Sequence, residues 1–238
     1  VNINLNCGSQ HTHDLCAKVR ELKADVGLAF DGDGDRMIAV DEKGRELSGD
    51  HILLICAKAL KEQGRLKNNL VVTTVMANFG FFVAARKLGI EAAVAAVGDR
   101  YVLEMMKERH ALIGGESSGH MIFLDHHTTG DGLISALQLL ACLRASGQPL
   151  SALADVMSVT PQKMINVDVR HKPDLDTIPE VRAAIASAET ELGDQGRVLV
   201  RYSGTQAMCR VMVEGPTREM TDRLTKSIAD VVRQCLGV

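Results

Sequence analysis

Short apolar runs alternate with amphipathic segments through the first 160 residues of the chain. Strands are predicted at residues 26–30, 70–76, 92–97 and 121–124, and helices at 50–61 and 79–88. A further helix is predicted after residue 131, where apolar side chains recur at helical spacing: Leu133, Ile134, Leu137, Leu140 and Ala141. Strands that alternate with helices in this way indicate βαβ units and an α/β fold.

The last third of the chain follows a different pattern. It predicts a helix at 178–192, strands at 197–202 and 209–214, and a final helix at 218–235. All five prolines lie after residue 148, which favours a boundary near residue 162, and a hairpin-like segment after Arg36 favours another near residue 48. We therefore predict an α/β protein with two α/β units, the first of them incomplete, and a small α+β domain, with bounds 1–48, 49–162 and 163–238.

Composition excludes several functions. A net charge of -3, with two Tyr, five Phe and no Trp, argues against nucleic acid as the main partner. The sequence contains neither the roughly eighteen apolar residues that a membrane span needs nor a signal-peptide pattern, so we predict a cytoplasmic protein with no membrane partner. The six cysteines form no CxxC pair and are predicted to be small buried hydrophobes.

Three carboxylates at alternate positions follow the strand at 26–30 and give the strongest chemical signal. Asp31, Asp33 and Asp35 repel one another unless a cation lies among them. A calcium EF-hand is disfavoured because its sixth position needs glycine and holds Arg36. Magnesium suits the loop better, with Arg36 as a fork for a phosphate group, and a solvated acidic turn is the alternative without a ligand.

Residues 114–120, GGESSGH, form a polar loop between two apolar runs. Glu116 and Ser118 could accept or donate hydrogen bonds to sugar hydroxyls, and His120 could move a proton near neutral pH. The alternative is a polar turn without a ligand.

Residues 201–205, RYSGT, follow a predicted strand and form a second candidate loop. Arg201, Ser203, Gly204 and Thr205, together with Arg210 on the next strand, offer guanidinium, hydroxyl and amide donors. Such a set could hold a phosphate dianion. A hairpin with an incidental arginine pair is the alternative.

These loops in this order, with the segments NCGS at 6–9 and VGDRYV at 97–102, resemble the α-D-phosphohexomutase superfamily almost from end to end. The two segments favour its glucosamine branch. The resemblance implies that a phosphoserine on a preceding domain passes its phosphoryl group to glucosamine 6-phosphate. The bisphosphate then reorients and leaves glucosamine 1-phosphate.

By the same resemblance the three aspartates hold Mg²⁺ against the phosphoserine, and Arg36 and His120 serve catalysis. Glu116 and Ser118 bind the sugar, and the loop of Arg201 binds its non-reacting phosphate. Because the serine loop of the family is absent from the sequence, the chain is expected to be a fragment that is inactive alone. Its expected partners are the phosphosugar and the missing phosphoserine domain, and a homodimer is compatible with the sequence.

The chain departs from the family pattern at two places. Gln206 and Ala207 stand where members usually have Glu and Pro, and Ala96 stands where a basic residue commonly precedes VGDRYV. Three alternatives stay open at this stage: a phosphomannomutase or phosphoglucomutase, a phosphatase with Asp31 as nucleophile and Asp33 as acid, and a non-catalytic module that binds a phosphosugar or a divalent ion.

Overall fold

A computed structural model describes residues 3–238 and divides the chain into two compact units. The first ends at Ser158, and the second is Val159–Val238. The predicted α/β class, with a small α+β domain at the end, is confirmed. The three-part division at residues 48 and 162 stays a prediction.

The first unit opens with a helix and an antiparallel sheet of order β1-β2-β3. Their bounds are α1 His13–Leu22, β1 Val26–Phe30, β2 Met37–Asp41 and β3 Glu46–Leu47. Phe30 pairs with Met37 at the end of the β1–β2 ladder, so the six residues 31–36 form the connecting loop. The acidic motif therefore lies at the tip of a hairpin.

A second sheet in this unit has the order β5-β4-β6-β7. β4 pairs in parallel with β5 and β6, whereas β7 is antiparallel to β6. The bounds are α2 Gly49–Glu62, β4 Leu70–Thr74, α3 Phe79–Lys87, β5 Glu91–Ala95, α4 Asp99–Arg109, β6 Ile113–Gly115, β7 Met121–Phe123, α5 Gly132–Ser146 and α6 Leu150–Ala154. The parallel pairing confirms the predicted βαβ arrangement.

One apolar core joins the first sheet to α2, α5 and one side of the second sheet, and a separate cluster packs α4 on the other side of the second sheet. Met37 of β2, Leu53 of α2, Ile113 of β6 and Leu139 of α5 are fully or almost fully buried in the first of these cores. Burying a side chain of this size removes its apolar surface from water, and each such side chain stabilises the folded chain by about 1.5–3 kcal/mol. The loops at both sheets are therefore anchored to a common core.

The second unit is a three-stranded antiparallel sheet with two long helices. Its order is β8-β10-β9, with bounds β8 Gln162–Asp168, α7 Pro179–Leu192, β9 Arg197–Tyr202, β10 Met208–Glu214 and α8 Arg218–Leu236. The apolar side of α8 packs into this core through Leu224, Ile228 and Val232. Thr217 caps α8 by accepting a hydrogen bond from the amide of Met220.

Some local predictions were wrong. β4 and β5 end two residues earlier than predicted, at Thr74 and Ala95, because the chain turns into loops there. The cysteines are not all buried, because Cys7 and Cys235 are exposed.

Within residues 3–238 no helix has both the length and the apolar character that crossing a membrane requires.

Candidate functional site

The acidic loop turns tightly between β1 and β2. The amide of Gly34 donates to the Asp31 carbonyl (3.3 Å), and the amide of Arg36 donates to Asp31 Oδ1 (3.1 Å). The Asp31 side chain is only 9% exposed, whereas Asp33 is exposed. The loop therefore holds one carboxylate in place by backbone bonds and leaves another open to solvent.

Three carboxylates converge in this loop. One oxygen each from Asp31, Asp33 and Asp35 lies within 4.8 Å of the others, and this is the one such group of three metal-ligating side chains in the part of the chain that the structure describes. Burial raises the pKa of Asp35, and the hydrogen bond to Asp31 and the repulsion by its charge raise it further. Asp35 Oδ1 is buried and has no hydrogen-bond partner among the described residues.

These observations test whether a cation fits. Arg36 Nε lies 3.7 Å from Asp31 Oδ2 and 3.8 Å from Asp35 Oδ1, so it neutralises the group only in part. Oxygen ligands and an uncompensated negative charge are what a hard divalent ion such as Mg²⁺ binds. The donor set fits Mg²⁺ chemically.

His120 lies beside the acidic loop. Its ring is almost fully buried, with Nε2 3.5 Å from Asp35 Oδ2, and its backbone forms a β-bridge with Arg36. The ring also fills the space above Gly130, where an added Cβ would lie 2.1 Å from Nε2. The observed contact of His120 is therefore with Asp35, and its role in proton transfer stays a prediction.

The Glu116 loop connects β6 and β7. The amide of Gly119 donates to the Glu116 carbonyl (3.0 Å), and the amide of Glu116 donates to the His120 carbonyl (2.9 Å). Gly49, at the start of α2, donates to the Ser117 carbonyl (3.0 Å). Because its backbone is fixed at these points, the loop presents the half-buried side chains of Glu116 and Ser118 from a defined position.

Gly98 holds the Glu116 side chain and was missed by the sequence analysis as a site residue. Its amide donates to Glu116 Oε1 (3.1 Å). Its backbone, with φ 128° and ψ 136°, is accessible almost only to glycine. The signal that could have found it is a glycine directly before Asp99, at the start of α4.

The acidic loop and the Glu116 loop are hydrogen-bonded within the first unit. Arg36 forms a β-bridge with His120, and the amide of Met37, directly after the acidic loop, donates to the Gly119 carbonyl (3.1 Å). The acidic loop is also tied to the start of α5, where the amide of Gly132 donates to the Gly34 carbonyl (2.9 Å). The structure thus brings together the predicted residues Asp31, Asp33, Asp35, Arg36 and His120, with the Glu116 loop adjoining them.

The second unit carries a pair of arginines near the end of its edge strand β9 and the start of its central strand β10. Arg201 of β9 and Arg210 of β10 are direct cross-strand partners, so their side chains leave the same face of the sheet. Burial lowers the pKa of Arg201, and the charge of Arg210 lowers it further. Arg210 Nε is buried without a hydrogen-bond partner in the described chain. Two guanidinium charges this close together favour the binding of an anion.

The loop 203–207 lies next to these arginines along the chain. Ser203 is almost fully buried; its amide donates to the Met208 carbonyl (2.9 Å), and its Oγ accepts from the amide of Gln206 (3.3 Å). Because the hydroxyl accepts there, its own hydrogen is left to donate. Gly204 and Thr205 are exposed, and their amides donate to no acceptor within residues 3–238. This loop therefore offers several donors to a ligand.

Comparison with known families matches almost the whole chain. Models of the phosphoglucomutase/phosphomannomutase family match residues 4–44 (alpha/beta/alpha domain II), 48–159 (alpha/beta/alpha domain III) and 164–231 (C-terminal domain). The chain belongs to this phosphohexomutase family.

Curated relatives are similar along the full chain. It is 61% identical over 237 residues to the phosphoglucosamine mutase of Syntrophobacter fumaroxidans and 51% identical over 238 residues to that of Bacillus subtilis. Each alignment covers 100% of this chain and 53% of the relative. The chain therefore spans about half the length of the curated relatives it matches.

Solved structures share the fold at low sequence identity. A crystal structure of Aspergillus fumigatus N-acetylphosphoglucosamine mutase in complex with GlcNAc-6P and magnesium superposes with a TM-score of 0.78 at 21% identity, covering 97% of this chain and 53% of the other. A phosphoglucomutase/phosphomannomutase family protein from Burkholderia thailandensis gives 0.76 at 22% identity, covering 97% and 52%.

Proposed function

We propose that this chain forms part of a Mg²⁺-dependent phosphoglucosamine mutase, which interconverts glucosamine 6-phosphate and glucosamine 1-phosphate through a phosphoserine and a bisphosphate. The cluster of Asp31, Asp33 and Asp35 is the observation that carries the proposal. The names of the relatives at 61% and 51% identity support the choice of substrate. By the same resemblance, the reaction would take place in the cytoplasm and supply amino-sugar precursors of the cell wall.

Each loop has a role in this proposal. The aspartates would hold Mg²⁺, which supplies positive charge against a phosphate group. Arg36 would bind the same phosphate, and Glu116 and Ser118 would hold sugar hydroxyls. The serine that carries the transferred phosphoryl group would come from a domain that precedes this chain in a full-length protein.

The loop 203–207 and the neighbouring pair Arg201 and Arg210, together called the cationic loop, would hold the phosphate that does not react. Arg201 and Arg210 would supply charge, and Ser203, Gly204 and Thr205 would supply hydroxyl and amide donors. In the first half-reaction the serine–phosphate bond breaks as the sugar C1 hydroxyl takes the phosphoryl group, which gives the 1,6-bisphosphate. After reorientation the 6-phosphate returns to serine and glucosamine 1-phosphate leaves. Phosphoryl transfer of this kind depends mostly on positioning and charge neutralisation.

The experiment compares Asp33→Asn with the parent in a full-length protein that contains this chain. Glucosamine 6-phosphate, Mg²⁺ and a trace of hexosamine bisphosphate are supplied, and both isomerised product and free phosphate are measured. We expect the turnover of the variant to fall about 10²–10³-fold, as is typical when a group that stabilises charge in the transition state is removed. Asp14→Asn, which changes an exposed carboxylate on α1, is the matched control and should keep parental turnover.

Other products would contradict the proposal. Phosphate release without isomerised sugar would support a phosphatase, and faster turnover of glucose or mannose phosphates would support the phosphoglucomutase or phosphomannomutase alternative. No reaction of the parent with any of these sugars would favour a non-catalytic binding module.

A further inference from the structure

The loop 203–207 is held by a segment that no motif of the sequence marks. Residues 169–172 follow β8, and the amide of Val169 donates to the Ala207 carbonyl (3.0 Å). Three residues later, Lys172 Nζ donates to the Ser203 carbonyl (2.6 Å). The two bonds fix the first and the last residue of the loop.

The segment itself is anchored to the core of the second unit. Val169 is almost fully buried and forms a β-bridge with Gly237, and the amide of Arg170 donates to the Leu236 carbonyl (3.0 Å). Lys172 therefore lies two residues after an anchored stretch of backbone. An ammonium that donates to a carbonyl at 2.6 Å forms a short charge-assisted bond.

We propose that Lys172 is a positioning residue for phosphate binding: by holding the Ser203 carbonyl, it fixes the Ser203 hydroxyl and the Gly204 and Thr205 amides where they can donate to a phosphate group. The inference rests on the proposed function of this loop. Lys172 and Arg201 also line one open cleft of about 420 Å³, together with the carboxylates of Asp174 and Asp176.

The Lys172 bond to the Ser203 carbonyl matters for this chain because Gln206 and Ala207 depart from the family pattern. A proline at position 207 would restrict the backbone there, whereas alanine does not. In this chain the loop carbonyls at 203 and 207 are instead tied to the 169–172 segment. Bonds from the 169–172 segment thus add to the order that the bonds of Ser203 to Gln206 and Met208 give the loop.

The test uses Lys172→Met, because methionine has an unbranched side chain of similar length but no ammonium group that could donate a hydrogen bond. Binding of glucosamine 6-phosphate is measured by calorimetry, and amide exchange of residues 203–207 by mass spectrometry. We expect binding to weaken roughly three- to tenfold, which is within the net contribution of one hydrogen bond, and exchange in the loop to become faster. Lys172→Arg should restore both, and Lys226→Met, at an exposed position of α8, should change neither.

Two contrary results separate this inference from the function on which it rests. Parental affinity of Lys172→Met, while Arg201→Ala weakens binding, would overturn the role of Lys172 alone. Failure of the parent to bind the phosphosugar, or parental affinity of Arg201→Ala, would overturn the phosphate role of the whole loop and the positioning role with it.

Discussion

The acidic loop of the first unit and the cationic loop of the second are held in place differently. Around the acidic loop, backbone packs directly on backbone: a Cβ added at Gly132 would lie 2.7 Å from the Gly34 carbonyl oxygen and 2.9 Å from that of Arg36. In the cationic loop, a Cβ added at Gly204 would meet no atom within 4 Å. Hydrogen bonds hold both loops, but the acidic loop is in addition packed closely against the start of α5 at Gly132, whereas the cationic loop relies on bonds such as the one from Lys172.

The comparison also concerns charge. The first loop concentrates carboxylates and raises the pKa of Asp35, whereas the second concentrates guanidiniums and lowers the pKa of Arg201. Each shift reports like charges gathered in a partly buried place, with burial as its largest cause. The two loops should therefore take ligands of opposite sign, and each can be tested without the other.

The largest effect should come from Gly132→Ala. The added methyl group would press on the backbone of the acidic loop, and overpacking of this kind costs about 1–3 kcal/mol of unfolding free energy. Gly204→Ala should stay within about 0.5 kcal/mol of the parent. Urea unfolding of both variants measures the difference, and equal stabilities would refute the contrast in packing.

A smaller effect should appear as a pH dependence at the start of α2, near the Glu116 loop. Burial lowers the pKa of His51 to about 4, and the charge of Arg45 adds to the shift. In the unfolded chain His51 takes up a proton near pH 6.5, whereas the folded chain holds it neutral down to about pH 4. The free energy of unfolding is therefore unaffected above pH 6.5 and decreases as the pH falls from 6.5 to 4. At pH 5 the loss amounts to about 2 kcal/mol.

His51→Gln should reduce the stability change between pH 7 and pH 5 by this amount, measured as urea unfolding at both pH values. His13→Gln is the matched control, because the His13 side chain is 95% exposed. The same pH dependence in parent and His51→Gln would show that His51 does not titrate as its burial requires.

The smallest of the three effects concerns the cationic loop. Arg201→Ala should weaken binding of glucosamine 6-phosphate about tenfold, or about 1.4 kcal/mol, because a charge-assisted bond to phosphate is lost. Arg182→Ala, at an exposed position of α7, removes the same charge elsewhere in the second unit and should bind as the parent does. Calorimetry measures the affinity of both variants for glucosamine 6-phosphate. Equal affinities of Arg201→Ala and Arg182→Ala would argue against a phosphate in this loop.

The parts of the fold that the sequence predicts are those in which apolar and polar residues follow a recognisable pattern along the chain. The strand at Arg197–Tyr202 is predicted to the residue, because Val198, Leu199 and Val200 form a short apolar run bounded by Arg197 and Arg201. The strand Gln162–Asp168 was missed, since its residues are mostly polar and exposed and it gains its order from pairing with β10. Local pattern cannot reveal a strand that is stabilised by a distant partner.

The same limit applies to the site. Alternating Asp and Gly residues mark the acidic loop in the sequence itself, and the structure brings their oxygens together. Gly98 and Lys172 act through long-range bonds, to Glu116 and to the Ser203 carbonyl, and no spacing rule connects residues 18 or 31 positions apart. Residues that bind a ligand carry chemical signatures, whereas residues that position them need the folded chain.

Calorimetric titration of Mg²⁺ into this chain measures whether Asp31, Asp33 and Asp35 bind the ion. We expect saturable binding at one site in the parent and in Asp14→Asn, and binding weakened at least about tenfold in Asp33→Asn because one of three carboxylate ligands is lost. Saturable binding of equal strength in Asp33→Asn, or none in the parent, would contradict the assignment of Asp31, Asp33 and Asp35 as a magnesium site.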